Sequence, residues 1–173
     1  GEEISTLDEA QFFIDEYNRV LDAIVEHDLD ANISIKPTAF GLLIDEERAY
    51  QNIEKLLKKA AQNDIFVRLD MEDNRVTQST IDIVISMHKK GLKNVGTVLQ
   101  SRLLRTGDDI DFICKQLGSA ADFRICKGVY LEPEEIALTG YQEIVSALNS
   151  HILQMLDAGA YVGIASHDLP IIE

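Results

Sequence analysis

The period of the apolar residues changes repeatedly along this chain, from the spacing of amphipathic helices to short β-branched runs and back, and few folds accept such a rhythm. Thr6 and Glu9 have the spacing of a capping box, and Phe13, Tyr17, Val20, Leu21 and Ile24 then share one face, which predicts a helix from about 7 to 28. The run NISIK at 32–36 follows as a strand. Asp45 has the chemistry of an N-cap for a second helix with Ile53, Leu56, Leu57 and Ala60 as its buried stripe, and IFVRLD at 65–70 follows as the next strand. A third helix over roughly 77–90, with Ile81, Val84, Ile85 and His88 in register, ends at Gly91 and leads into NVGTVLQ at 94–100. A short helix near 108–117 precedes ADFRICK, and a longer one over roughly 134–157 ends at Gly159 before YVGIAS at 161–166.

This pattern amounts to about five βα units, in which every strand is separated from the next by a helix. That favours parallel pairing, and right-handed crossovers place all strand carboxyl ends on one side, so the class is α/β. Polar residues fall at those ends: Lys36, Asp70, Gln100, Lys127 and His167 terminate or closely follow successive strands. A (βα)8 barrel of the TIM type gathers such positions around one mouth, whereas an open sheet spreads them along a line. The barrel is therefore the expected architecture, here incomplete. No linker or low-complexity tract divides 1–173, which reads as one domain.

Charge and composition remove several function classes. With 30 acidic against 16 basic residues and a net charge of -14, most of the surface repels nucleic acid, so a phosphate site has to be local and shielded. The two cysteines, Cys114 and Cys126, have no metal-like spacing and suggest a reducing compartment. No apolar run approaches the roughly 18 residues of a membrane span, and the expected location is cytoplasmic or peripheral to the inner face of the cytoplasmic membrane.

Several strand-end residues have two readings. Asp70, Glu72 and Asp73 crowd one strand end, where each can perturb the others' protonation, but Glu72 and Asp73 are also the acidic residues expected at the start of the next helix. Lys36, fixed in direction by Pro37, suits a substrate carboxylate, a Schiff-base nucleophile, or simple neutralisation of Asp70. Arg124 and Lys127, with Gly128 beside them, suit an anionic ligand, although Arg124 can equally pair with Asp70 or Asp122. Gln100 offers the donor and acceptor that a flavin pyrimidine edge needs, or caps its own strand. His167 is the one histidine of four at a strand end, and nothing around it has metal-ligand spacing, so no metal is expected. Neither GxGxxG nor a Walker loop occurs.

Taken in order, ISIK at 33–36, LDMED at 69–73, VLQ at 98–100, FRICKGVYLEP at 123–133 and IASHD at 164–168 resemble the strand ends of the proline dehydrogenase family, and these motifs cover nearly the whole chain. The resemblance implies FAD held noncovalently in a (βα)8 barrel, and oxidation of L-proline to Δ1-pyrroline-5-carboxylate with electrons passed to a membrane quinone. It implies Asp70 and Arg124 as catalytic residues. Substrate contacts would come from Lys36, Tyr130 and Glu2, and FAD contacts from Met71, Gln100, Lys127, Gly128, Val129, Ser166 and His167. Ile125, Val129 and Ser166 stand where leucine, alanine and threonine are usual in the family, and Val129 adds bulk where FAD is expected to pass.

Family barrels continue to a last helix with paired tyrosines and paired arginines, and neither pair occurs before Glu173. The chain is therefore expected to be a central fragment lacking roughly three of the eight strands. Open sheet edges then favour self-association or completion by another chain. Two alternatives stand beside the enzyme reading: a structural fragment without FAD, and a Schiff-base lyase on a similar barrel.

Overall fold

The computed structural model describes residues 4–172, and in it strands and helices alternate as the sequence predicts. The chain divides into two compact units, Gly1–Val95 and Gly96–Glu173.

In the first unit, helix α1 (Leu7–Glu26) begins at Thr6, whose side chain accepts from the Glu9 amide while Glu9 reaches back to the Thr6 amide, so two donors of the first turn are satisfied reciprocally. Its buried stripe is Ala10, Ile14, Leu21 and Ile24. Phe13 and Tyr17 are half-buried, and Val20, expected on this face, is exposed. Advancing 100° per residue, Val20 falls one side of the line through Tyr17, Leu21 and Ile24. Strand β1 (Ile33–Ile35) leads through Lys36 into a 3-10 turn (Pro37–Phe40) that closes on Gly41 at φ 90°. Tyr17 stacks on Phe40 with ring centroids 5.5 Å apart, which fastens α1 over this turn.

Asp45 caps helix α2 (Glu46–Ala61) by accepting from the Arg48 amide, and Ile53, Leu56, Leu57 and Ala60 are all buried. Strand β2 (Val67–Leu69) pairs in parallel with β1 in the register Ile33 with Val67 and Ile35 with Leu69. Helix α3 (Asn74–Lys89), capped by Asp73, completes the unit and stops before Gly91, which takes φ 86°.

In the second unit, strand β3 (Val95–Gln100) is followed by helix α4 (Thr106–Leu117), strand β4 (Asp122–Cys126), helix α5 (Tyr141–Asp157), strand β5 (Tyr161–Ile164) and the short helix α6 (Leu169–Ile172). Strands β3, β4 and β5 pair in parallel, Gln100 lying opposite Cys126 and Arg124 opposite Gly163.

The helix expected from 134 starts only at Tyr141. Residues 134–140 form a turn and a strap instead. The Ile136 carbonyl accepts from the Leu104 amide and the Leu138 amide donates to the Arg102 carbonyl, so backbone groups that a helix would use internally are committed elsewhere. Gly140, in an extended conformation at φ -75° and ψ 128°, then marks the true helix start.

Two histidines foreseen as helical act as ties. His88 on α3 bonds the Val95 carbonyl, and His151 on α5 bonds the buried Ser101 hydroxyl at 3.1 Å. His27 is the residue that ends α1. Among the described residues no helix is long and apolar enough to cross a membrane.

Ile53 is fully buried on α2, so Ile53→Ala is expected to lower unfolding free energy by about 2–5 kcal/mol, read from the shift of a urea midpoint. Burial holds the His151 imidazole below the ordinary range. As pH falls through about 6.5 the unfolded chain therefore takes up this proton before the folded one, and stability present above that pH is lost below it. Urea midpoints measured across that window are expected to fall for the native protein and to fall less for His151→Gln.

Candidate active-site residues at the strand ends

The first unit brings three of the expected residues to adjoining strand ends. The Asp70 amide donates to the Ile35 carbonyl at 2.8 Å, which continues the β1–β2 ladder and sets Asp70 beside the Ile35–Lys36 peptide. Lys36 and Asp70 are both half-buried, and Met71 is buried.

Glu72 is buried at 6% exposure, and its carboxylate accepts from the Thr38 amide at 3.0 Å and the Thr38 hydroxyl at 2.6 Å. This carboxylate thus pins the 3-10 turn that follows Lys36, which is a structural task, and it limits where the Lys36 backbone can go. Asp73 caps α3 and grips Arg75, whose guanidinium holds the Asp73 carboxyl below its usual range. Asp73 thus fits the helix-start alternative, whereas Glu72 has its structural task in the turn after β1 and not at the start of α3.

Tyr17 was foreseen only as a core-facing residue of α1. Its phenol hydrogen-bonds the Lys36 backbone, and burial first, with the nearby Asp70 and Glu72 carboxylates adding to it, pushes its acidity down. Only the docking of α1 over the turn brings it to this place.

In the second unit the strand ends carry Gln100, Arg124, Lys127, Gly128, Val129, Tyr130, Ser166 and His167. Gln100 is buried at the end of β3. On β4, Phe123 and Ile125 are buried, and Asp122, Arg124 and Cys126 alternate onto the other face, with Gly163 of β5 leaving room beside Arg124. Lys127 donates to Asp168 at 2.5 Å, the Tyr141 hydroxyl donates to the same carboxylate oxygen at 3.1 Å, and the ammonium lies 5.4 Å from the Tyr141 ring centre. Lys127 chiefly, and the Tyr141 hydroxyl with it, hold the Asp168 carboxyl below its usual range, and Asp168 raises Tyr141 in return. Ser166 accepts from the Asp168 amide, while His167 and Val129 are exposed, Val129 at 83%.

Asp168, Tyr141 and Arg102 are the residues that sequence reasoning did not single out here. Asp168 is a neighbour of His167 in the quoted IASHD motif, and Arg102 is two residues past Gln100. Their partners lie 27 to 41 residues away, beyond any local pattern. Gly128 takes φ 105°, and a Cβ there would lie 2.7 Å from the Gln100 Oε1 and 2.8 Å from the Arg102 Cδ. Its bareness is thus required by the chain's own side chains passing over it.

The arrangement offers two cations, Lys127 and Arg102, a buried amide, and backbone at the end of β4. It suits an anionic ligand with a hydrogen-bonding edge, and the Arg102 Nε, buried with no hydrogen-bond partner among the described residues, is a donor still unsatisfied. Among the described residues no group of three or more histidines, cysteines or acidic residues could hold a metal ion. Glu2 lies outside the described residues.

The family model described as proline dehydrogenase matches residues 1–166. Proline dehydrogenase 2 of Bacillus subtilis (strain 168) is 34% identical over 174 residues, covering 100% of this chain and 56% of its own length. Proline dehydrogenase 1 of the same strain is 32% identical over 172 residues, covering 99% and 56%. The chain thus spans about half the length of the curated relatives it matches. The crystal structure of proline utilization A (PutA) from Bdellovibrio bacteriovorus, inactivated by N-propargylglycine, superposes with a TM-score of 0.85 at 19% identity, covering 96% of this chain and 22% of that one. That likeness gives the fold as an incomplete (βα)8 barrel of the TIM type.

At Gly128, a left-handed φ and a filled space combine. Gly128→Ala is expected to cost about 1–3 kcal/mol, measured by chemical denaturation, because the left-handed backbone and the Arg102 stem both oppose a Cβ there.

Proposed function

The chain belongs to the proline dehydrogenase family, and from that premise we propose that the whole protein is a flavoenzyme that oxidises L-proline to Δ1-pyrroline-5-carboxylate. The observation that carries this reading is the hydrogen bond from the Asp70 amide to the Ile35 carbonyl, which brings Lys36 and Asp70 to neighbouring strand ends. Both belong to motifs, ISIK and LDMED, that resemble the family.

The residues present fit FAD: a buried amide at Gln100, the Lys127 ammonium, and the unsatisfied Arg102 Nε. Met71, Gln100, Lys127, Gly128, Val129, Ser166 and His167 would hold it. When bound, FAD supplies the two-electron acceptor for the carbon–nitrogen bond of proline.

Asp70 and Arg124 would be the catalytic residues. Lys36, Tyr130 and Glu2 would contact substrate, Lys36 as a point charge for the proline carboxylate. Arg124 and Lys127 would place positive charge where negative charge develops as substrate loses its electrons. Electrons would leave to a quinone-type acceptor, through peripheral contact with a membrane. Residues 1–173 would form part of a single barrel domain, and the open sheet edges of the isolated piece would favour self-association.

A Schiff-base reading needs a neutral lysine amine, and Lys127 is engaged as a cation with Asp168, which does not favour it. Copurifying flavin absorbance in the full-length protein is the first test, and its absence together with borohydride trapping of a keto substrate on a lysine would favour the lyase. In the full-length protein Arg124→Met is expected to lower proline oxidation about 100-fold or more while the melting temperature stays near native. Near-normal turnover in that variant would remove Arg124 from the catalytic set.

A further inference from the structure

We propose that Arg102 is a positioning residue for the ligand site at the end of β4, clamping the segment from Lys127 to Leu138 against the end of β3. The inference rests on the flavin reading above and adds to it a residue that neither the motifs nor the family resemblance singled out.

Four positions of the segment meet this one side chain and its backbone. The Arg102 amide donates to the Lys127 carbonyl at 3.0 Å, and the Arg102 carbonyl accepts from the Leu138 amide at 2.7 Å. Nη1 donates to the Tyr130 carbonyl at 2.7 Å and Nη2 to the Leu138 carbonyl at 3.4 Å, so one guanidinium ties together two points of the segment eight residues apart. The aliphatic stem fills the space that a Gly128 Cβ would take, with Cδ 2.8 Å and Cγ 3.0 Å away.

The segment needs such a clamp. Between β4 and α5 it has no regular structure beyond a turn and one bridge, Leu103 with Ala137, and Val129 and Leu131 stand 83% and 95% exposed. Ordering such a stretch costs conformational entropy at every residue, and contacts from outside the segment offset it. Lys127, Gly128, Val129 and Tyr130, all proposed to meet FAD or substrate, lie within it.

Arginine suits the task because its planar fork reaches two carbonyls at once, where lysine's single ammonium would reach one. Every hydrogen bond of this guanidinium among the described residues goes to a backbone carbonyl, and none goes to a carboxylate. Its charge therefore stays available to an anionic ligand, and its Nε stays without a partner.

The test uses the full-length protein and the variants Arg102→Gln and Arg102→Lys. Apoprotein is titrated with FAD by flavin fluorescence, amide hydrogen exchange is followed over 127–138 without FAD, and thermal melts serve as controls. Arg102→Gln is expected to bind FAD at least about tenfold more weakly and to exchange faster over 127–138 only, with Arg102→Lys recovering part of the affinity. FAD affinity within twofold of native in Arg102→Gln overturns the proposal, and full recovery in Arg102→Lys overturns the two-carbonyl fork in favour of bare charge. If the native protein takes up no FAD, the flavin reading fails by itself, and unchanged exchange over 127–138 in Arg102→Gln then overturns the clamp. Should Arg102→Gln not fold, Arg102→Lys decides: native affinity and native exchange overturn the clamp, and weaker binding with faster exchange supports it.

Discussion

Parallel strand pairing is the constraint from which the remaining features follow. A parallel ladder requires each strand to begin at the same end as its neighbour, so the chain must return along the sheet's length, and a helix does so while pairing its interior backbone groups within itself. In the first unit the ladder of β1 and β2 carries on one step past the strands, from the Asp70 amide to the Ile35 carbonyl. In the second, the Ser101 amide reaches the Cys126 carbonyl and the Ala165 amide the Ile125 carbonyl in the same way. Within each unit, polar residues that follow strands are collected by backbone geometry, with no attraction between their side chains required.

Several of the collected residues hold the backbone in place. Glu72 turns both carboxylate oxygens to Thr38, and leaving that buried amide and hydroxyl unpaired would cost on the order of 1–3 kcal/mol. Asp73 is occupied by the start of α3 and by Arg75. Their neighbour Asp70, one residue before Met71 and at the same strand end, has its amide rather than its carboxylate tied into the ladder. A cluster of three carboxylates therefore contains at least two scaffolding groups, Glu72 and Asp73.

Similar ties run through the second unit. Gly128 looked like an opening for a ligand, but Gln100 and Arg102 fill the space beside it. Lys127 is oriented by Asp168, which also receives the Tyr141 hydroxyl. The residue types that the sequence offered for an anion site stand at these strand ends, while the directions in which they point depend on partners outside the motif. The chain belongs to the proline dehydrogenase family and spans about half the length of the curated relatives it matches.

The sequence by itself determined the βα order, the capped starts of α1 and α2, the buried stripe of α2 and the strand-end positions of Lys36, Asp70, Gln100 and Lys127. These rest on local periodicity, cap chemistry and pairing rules that act within a few residues. Tertiary structure alone decided that residues 134–140 form a strap and not a helix, because their backbone groups are claimed by Arg102 and Leu104. It also decided that Val20 faces outward, that Tyr17 reaches Lys36, and that Asp168 meets Lys127 across 41 residues of sequence. Such contacts depend on how crossover helices and loops dock on the sheet, and no local period encodes that distance.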